Sequence, residues 1–166
     1  MYKKENFVIV LVGVCGTGKS IVGDKVARKL DIPFFDADAL FNEQLASDKK
    51  NRTDDSSTWL SAITNLIQEE FTKKGCVVSC SILKKEQRLQ LAENLDLNID
   101  WVFMRGTYEK VNERLEKEHE PHQTLSSLQS DFESLEIPKR ALTVDITNTD
   151  QEIVDTILKY LARKYG

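Results

Sequence analysis

Glycine at positions 13, 16 and 18, followed by Lys19 and Ser20, constrains this chain more than any other stretch. The run Gly13-Val14-Cys15-Gly16-Thr17-Gly18-Lys19-Ser20 fits G-x-x-x-x-G-K-[ST], the phosphate-binding loop, at every fixed position. Its flanks agree. Before it, Phe7-Val8-Ile9-Val10-Leu11-Val12 is an unbroken apolar run suited to a strand buried on both faces. After it, Val22, Val26 and Leu30 recur every four residues with Ile21 and Ala27 beside them, which predicts a helix. A strand, a glycine-rich turn and a helix in that order let backbone N–H groups fold round an anion, and the helix dipole adds positive potential. Lys19 is then expected to reach the β- and γ-phosphates of a nucleoside triphosphate, and the Ser20 hydroxyl to ligate Mg²⁺.

Along the rest of the chain, short apolar strands alternate with helices. Phe34 and Phe35 read as a second strand ending at Asp36-Ala37-Asp38, followed by a helix over residues 39–46 and a polar loop over 47–57. Trp59, Leu60, Ile63, Leu66, Ile67 and Phe71 form a helical stripe that stops before Gly75. Strands are expected at 76–80, 99–104 and 142–146, with helices over 84–94, 107–117 and the stripe Leu125, Leu128, Phe132, Leu135. Thr149 and Glu152 are spaced as a capping box for a last helix that buries Ile153, Val154, Ile157, Leu158 and Leu161. Such alternation predicts an α/β fold, a parallel sheet with helices on both faces, whose ligands sit at the carboxyl ends of the strands.

At 166 residues the chain is expected to form one domain spanning 1–166. Its formal charge of −4 gives no reason to expect nucleic acid or an anionic membrane as partner, so phosphate affinity must be local. No apolar run approaches the length of a membrane span. The first six residues lead straight into a strand and leave no room for a signal peptide, so the expected compartment is the cytoplasm. Cys76 and Cys80 on one strand would lie about 13 Å apart, too far to bridge, and with Cys15 they read as reduced thiols.

Several other groups could carry chemistry. Asp36 and Asp38, two apart in extended chain, share one side: one could order a magnesium shell and the other accept a substrate proton, or Asp38 could cap the helix after it. Asp54 and Asp55 before Trp59 fit a solvated acidic loop. Lys84, Lys85 and Arg88 after the third strand could hold an anionic substrate, or be surface cations of a polar helix. Arg105 and Arg114 could touch nucleotide phosphates from a closing segment. His119 and His122 read as solvated surface histidines.

Taken together, these pieces resemble the small bacterial-type gluconokinases, relatives of the shikimate and adenylate kinases. The resemblance runs from Phe7 to about Ile146. It rests on the phosphate loop, Phe35-Asp36-Ala37-Asp38, Asp54-Asp55 with Trp59-Leu60, and Cys80-Ser81-Ile82-Leu83-Lys84-Lys85 with Arg88. Phe132-Glu133-Ser134-Leu135-Glu136-Ile137-Pro138 is similar to a family stretch near the adenine site. The resemblance implies a P-loop kinase with a five-stranded parallel sheet and a small lid, here roughly 106–124. It implies ATP- and Mg²⁺-dependent phosphorylation of a hydroxyl on a sugar acid, with gluconate as the acceptor.

By position, the resemblance gives Asp38 the acceptor hydroxyl and Asp36, with Ser20, the magnesium. Asp55, Lys84 and Arg88 face the substrate, Arg88 on its carboxylate, while Arg114 and Pro138 join residues 13–20 around the nucleotide. A homodimer is what the resemblance implies for assembly. Two alternatives stay open. Shikimate kinase shares the loop, the Asp-Ala-Asp strand end and the length. A nucleotide-binding regulator with little turnover is the other, motivated by Glu116, Glu118 and Glu120 where the family carries basic lid residues.

Overall fold

The computed structural model describes residues 6–42, 57–118 and 125–166. Five strands form one parallel sheet: β1 (Phe7–Val12), β2 (Phe34–Asp36), β3 (Gly75–Cys80), β4 (Asp100–Arg105) and β5 (Leu142–Asp145), in the order β2-β3-β1-β4-β5. Helices α1 (Lys19–Leu30), α2 (Ala37–Leu40), α3 (Ser57–Phe71), α4 (Lys85–Leu95), α5 (Tyr108–Glu118), α6 (Leu125–Ser134) and α7 (Asp150–Tyr165) connect and cover the strands. The expected P-loop kinase architecture is present. Asp54, Asp55, His119 and His122 lie outside the described residues, as does the last part of the expected lid.

β1 is the centre of the sheet and explains the two-layered core. Strand side chains alternate between faces, so the strand must be apolar throughout if both faces are covered. Phe7, Ile9 and Leu11 point into a core shared with Val22 and Val26 of α1, Val111 and Leu115 of α5, and Ile153 and Ile157 of α7. Val8, Val10 and Val12 point the other way, toward Trp59, Leu60, Ile63 and Ile67 of α3 and Leu91 of α4. Register brings the carboxyl ends together: Val12 lies beside Cys80 and Phe103, Asp36 beside Ser79, and Arg105 beside Asp145.

One expectation about the second strand is corrected. The chain does not stay extended to Asp38. Asp36 is the N-cap of α2, its Oδ1 accepting from the Ala39 N–H at 3.4 Å, and Asp38 sits in the first helical turn. Capping therefore falls on Asp36, and the two carboxylates turn to different partners rather than sharing one side. The last helix begins as expected: Glu152 N–H donates to Thr149 Oγ1, and Thr149 N–H donates to Glu152 Oε1.

At the amino end of the strands, away from the phosphate loop, α7 is anchored to the first residue of β4. Asp100 is 2% exposed and accepts from Lys164 Nζ at 2.8 Å and from the Tyr165 hydroxyl at 2.9 Å, while Asn98 donates to that hydroxyl. Burial alone would lower the Lys164 pKa, but its bonds to Asp100 and Tyr165 outweigh this and raise it above the usual 10.5. A raised lysine pKa contributes stability that is complete below about pH 10 and lost as the pH climbs through the folded-state value. Asp100→Ala removes the anion and leaves the donors facing a void. It is expected to cost about 2–3 kcal/mol and to lower the melting temperature by roughly 5–10 °C. Thermal unfolding checks this, with turnover unchanged because the cluster is remote from the site described next.

Candidate active site

The phosphate loop closes tightly because its glycines adopt backbone conformations that other residues strain to reach. Gly16 and Gly18 have φ of 86° and 85°. Both are also hemmed in by α5. A side chain at 16 would strike Leu115, and one at 18 would strike the Arg114 guanidinium. Gly18 caps α1 without a side-chain hydrogen bond, and the first turn carries no acidic residue. The helix thus presents its N–H groups and dipole to whatever the loop encloses, the arrangement an anion needs.

Lys19 is 8% exposed and folds back over the loop, Nζ donating to the Gly13 carbonyl at 2.7 Å and the Val14 carbonyl at 3.0 Å. The Thr17 hydroxyl also donates to the Val14 carbonyl. Ser20 Oγ donates to Asp36 Oδ2 at 3.0 Å, joining the head of α1 to the end of β2. A hydroxyl and a carboxylate on exposed ground beside the loop fit magnesium, which favours oxygen ligands and keeps several waters and phosphate oxygens of its own. Among the described residues no three His, Cys, Asp or Glu side chains converge as a metal cage.

Asp38 turns toward β3. Its Oδ1 accepts from the Ser81 N–H at 3.0 Å and its Oδ2 from the Ser81 hydroxyl at 2.6 Å. The neighbouring Cys80 thiol registers what gathers here. Burial pushes its pKa well up, the Asp38 charge adds to that, Lys19 opposes it, and Asp36 contributes less. The register places Asp36 beside Ser79 and Asp38 on Ser81 at the carboxyl end of β3, next to the end of β1 from which the phosphate loop leaves. Cys76 is likewise raised to about 12 by burial, then by Glu70, and both thiols are free. Cys15, in the loop, is partly exposed.

Arg88 is a buried cation of α4, 7% exposed, beside the apolar Leu91 and Leu95. Nη1 donates to the Ile82 and Leu83 carbonyls at 3.1 and 2.9 Å, and Nη2 donates to the Glu136 carbonyl. Burial lowers the guanidinium pKa, with Glu136 opposing. Its fork thus ties the loop after β3 to the segment after α6. Lys84, exposed, stands at the head of α4, where its N–H donates to Gln87 Oε1. A lysine has no acceptor, so this is half of a capping box.

On the other flank of the loop, a cavity of about 440 Å³ opens between the ends of β4 and β5 and the segment after α6. Val14, Phe132, Leu135 and Ile137 supply apolar walls, with Arg105, Lys110 and Thr147 at its polar margin. Arg105 is held there by Asp145 at 3.2 Å. Pro138 follows Ile137 and is not itself a wall of the cavity. Arg114, over Gly18, pairs with Asp150 at 3.4 Å.

Comparison with known proteins agrees with this geometry. The family model for shikimate kinase matches residues 15–162. The gluconokinase of Gluconobacter oxydans is 30% identical over 98% of this chain and 92% of its own length. A shikimate kinase of Actinobacillus pleuropneumoniae is 32% identical over 77% of this chain and 78% of its own. The crystal structure of a gluconokinase from Sinorhizobium meliloti superposes with a TM-score of 0.81 at 34% identity, covering 96% of this chain and 93% of that one.

The chain belongs to the gluconokinase and shikimate kinase family of P-loop small-molecule kinases. It is an ATP-dependent phosphotransferase. No helix among the described residues of this kinase is long and apolar enough to cross a membrane. The sequence singled out Lys19, Ser20, Asp36, Asp38, Arg88 and Arg114, whereas Ser81 stood only within the stretch 80–85 and had no role of its own. Its signal was position, the first residue beyond the carboxyl end of β3.

Proposed function

We propose that this kinase transfers the γ-phosphoryl group of ATP to a hydroxyl of a small sugar acid, with gluconate as the preferred acceptor. The observation that carries the reading is the Asp38 carboxylate, held at both oxygens by Ser81 just past the carboxyl end of β3, the strand that pairs with β1 and its phosphate loop. Lys19 would exchange its two loop carbonyls for the β- and γ-phosphates, and the loop amides of residues 13–18 would share the remaining charge. Ser20 and Asp36 would hold Mg²⁺, which supplies charge neutralisation on the phosphate oxygens. The cavity beside Val14 would receive the base, with Pro138 at its approach. Arg114 would steady the phosphates from α5.

On the acceptor side, Asp38 orients the hydroxyl and takes its proton as the new oxygen–phosphorus bond forms and the bond from the γ-phosphorus to the bridging oxygen breaks, releasing ADP. Lys84 and Arg88 provide positive charge for the substrate carboxylate, Arg88 also by fixing the loop after β3, and Asp55 completes the site on the strength of the family resemblance. Catalysis is then mainly positioning and electrostatics. Shikimate is the second reading, favoured by the description of the family model that the chain matches.

Coupled ADP release with Mg-ATP against gluconate, related sugar acids and shikimate tests both. Gluconate is expected to give the highest kcat/KM. A higher value with shikimate transfers the chain to that activity, and silence across the panel with ATP binding intact overturns the sugar-acid reading.

A further inference from the structure

Two aspartates stand at the end of β2, Asp36 as its last residue and Asp38 two residues on, and the structure separates them with two serines. Ser20 donates to Asp36 from the phosphate side at 3.0 Å. Ser81 donates to Asp38 from the acceptor side, and it does so twice, its N–H to one carboxylate oxygen and its hydroxyl to the other at 3.0 and 2.6 Å. The bidentate grip matters because Asp38 sits in the first turn of a helix only four residues long, which offers little rigidity of its own. A carboxylate held at one oxygen can still swing about its side-chain torsions; held at both, it has one orientation. Each oxygen accepts one bond from Ser81 and keeps lone-pair capacity for a further donor. The grip also comes from firm ground, since the sheet fixes Ser79 and Cys80, both about 1% exposed or less, immediately before Ser81.

We propose that Ser81 is a positioning residue of the phosphoryl transfer, aiming the Asp38 carboxylate at the acceptor hydroxyl while Ser20 reserves Asp36 for the phosphate side. This rests on the reading of Asp38 as the group that meets the acceptor. Ser81 keeps its own proton throughout and needs no contact with either substrate. Removing its hydroxyl leaves the N–H bond in place, so the carboxylate is loosened rather than lost.

The test is steady-state kinetics with Mg-ATP and gluconate, or shikimate should the native protein turn over only that, on Ser81→Ala, Ser81→Thr, Asp38→Asn and the Asp38→Asn, Ser81→Ala double variant. Ser81→Ala is expected to lower kcat by about tenfold to a hundredfold, the scale of one hydrogen bond to a charged group, with KM for Mg-ATP within about twofold of native. Ser81→Thr, which keeps the hydroxyl, should recover most of the rate. In the Asp38→Asn background Ser81→Ala should cost almost nothing more, because the group it aims is gone.

A native-like kcat for Ser81→Ala beside a crippled Asp38→Asn overturns the inference and leaves the acceptor reading standing. So does a loss that Thr fails to recover and that adds in full to Asp38→Asn, the signature of a merely structural serine. A fully active Asp38→Asn, or a native protein silent with both acceptors, removes the acceptor reading and this inference with it.

Discussion

Asp38→Asn is expected to lower kcat by about a thousandfold, within the range seen when a positioned general base is removed, while the Kd for Mg-ATP stays near native. The substitution is nearly isosteric but inverts half of the hydrogen-bonding pattern. The carboxylate accepts at both oxygens, from the Ser81 N–H and from the Ser81 hydroxyl. An amide accepts at one atom and donates at the other, so it must either face the main-chain N–H with a donor or force the hydroxyl to rotate. It also gives up the negative charge that would draw the acceptor's proton. Asp38 is bonded to Ser81 rather than to the nucleotide half: Lys19 lies on the Gly13 and Val14 carbonyls, and Asp38 is not among the residues that wall the cavity. Calorimetric titration with Mg-ATP beside single-turnover kinetics separates the two halves. Turnover within a few-fold of native would make Asp38 a structural residue. Loss of ATP affinity would mean that the two halves are not independent.

How much of this was legible without the structure depends on how local the cause is. β1, the phosphate loop and α1 are dictated by neighbours within a few residues, and they appear where the apolar run and the helical stripe put them. The same holds for α7, whose capping box and apolar face are both local. At α2 local signals were ambiguous, since Asp36 and Asp38 are equally good caps. The choice was made by pairing: Asp36 is the last residue of β2 held by β3, opposite Ser79, so the helix starts just after it. Arg88 shows the limit more sharply. In sequence it is one cation in a polar helix, and its role depends on a carbonyl at Glu136, 48 positions away. The cavity is similar in kind, since Val14, Phe103, Phe132 and Asp145 meet only through the strand order.

Arg114→Ala is expected to lower kcat by about a thousandfold, the lower end of what an arginine serving a transferred phosphoryl group contributes, with little change in melting temperature. Its placement argues for the first effect. Helix α5 lands on the phosphate loop, Leu115 against Gly16 and the Arg114 guanidinium over Gly18, so this cation stands where phosphate charge would collect. The neighbouring cations of α5 are committed elsewhere: Lys110 lines the cavity, and Lys117 pairs with Glu113 at 3.3 Å. The ion pair argues for the second effect. Arg114 and Asp150 meet at 3.4 Å with side chains 21% and 27% exposed, and partly solvated pairs of this kind contribute little to folding. Lysine is not expected to substitute, because a point charge on a flexible stem does not reproduce a planar fork held in place by Asp150. Kinetics at saturating Mg-ATP with a melting curve on the same samples decide the matter. A drop in stability with turnover intact would make Arg114 a clasp between α5 and α7. The reverse pattern would make the acidic residues around it tolerable, because what α5 contributes to the transferred phosphoryl is then the guanidinium it holds over the loop and not the helix's net charge.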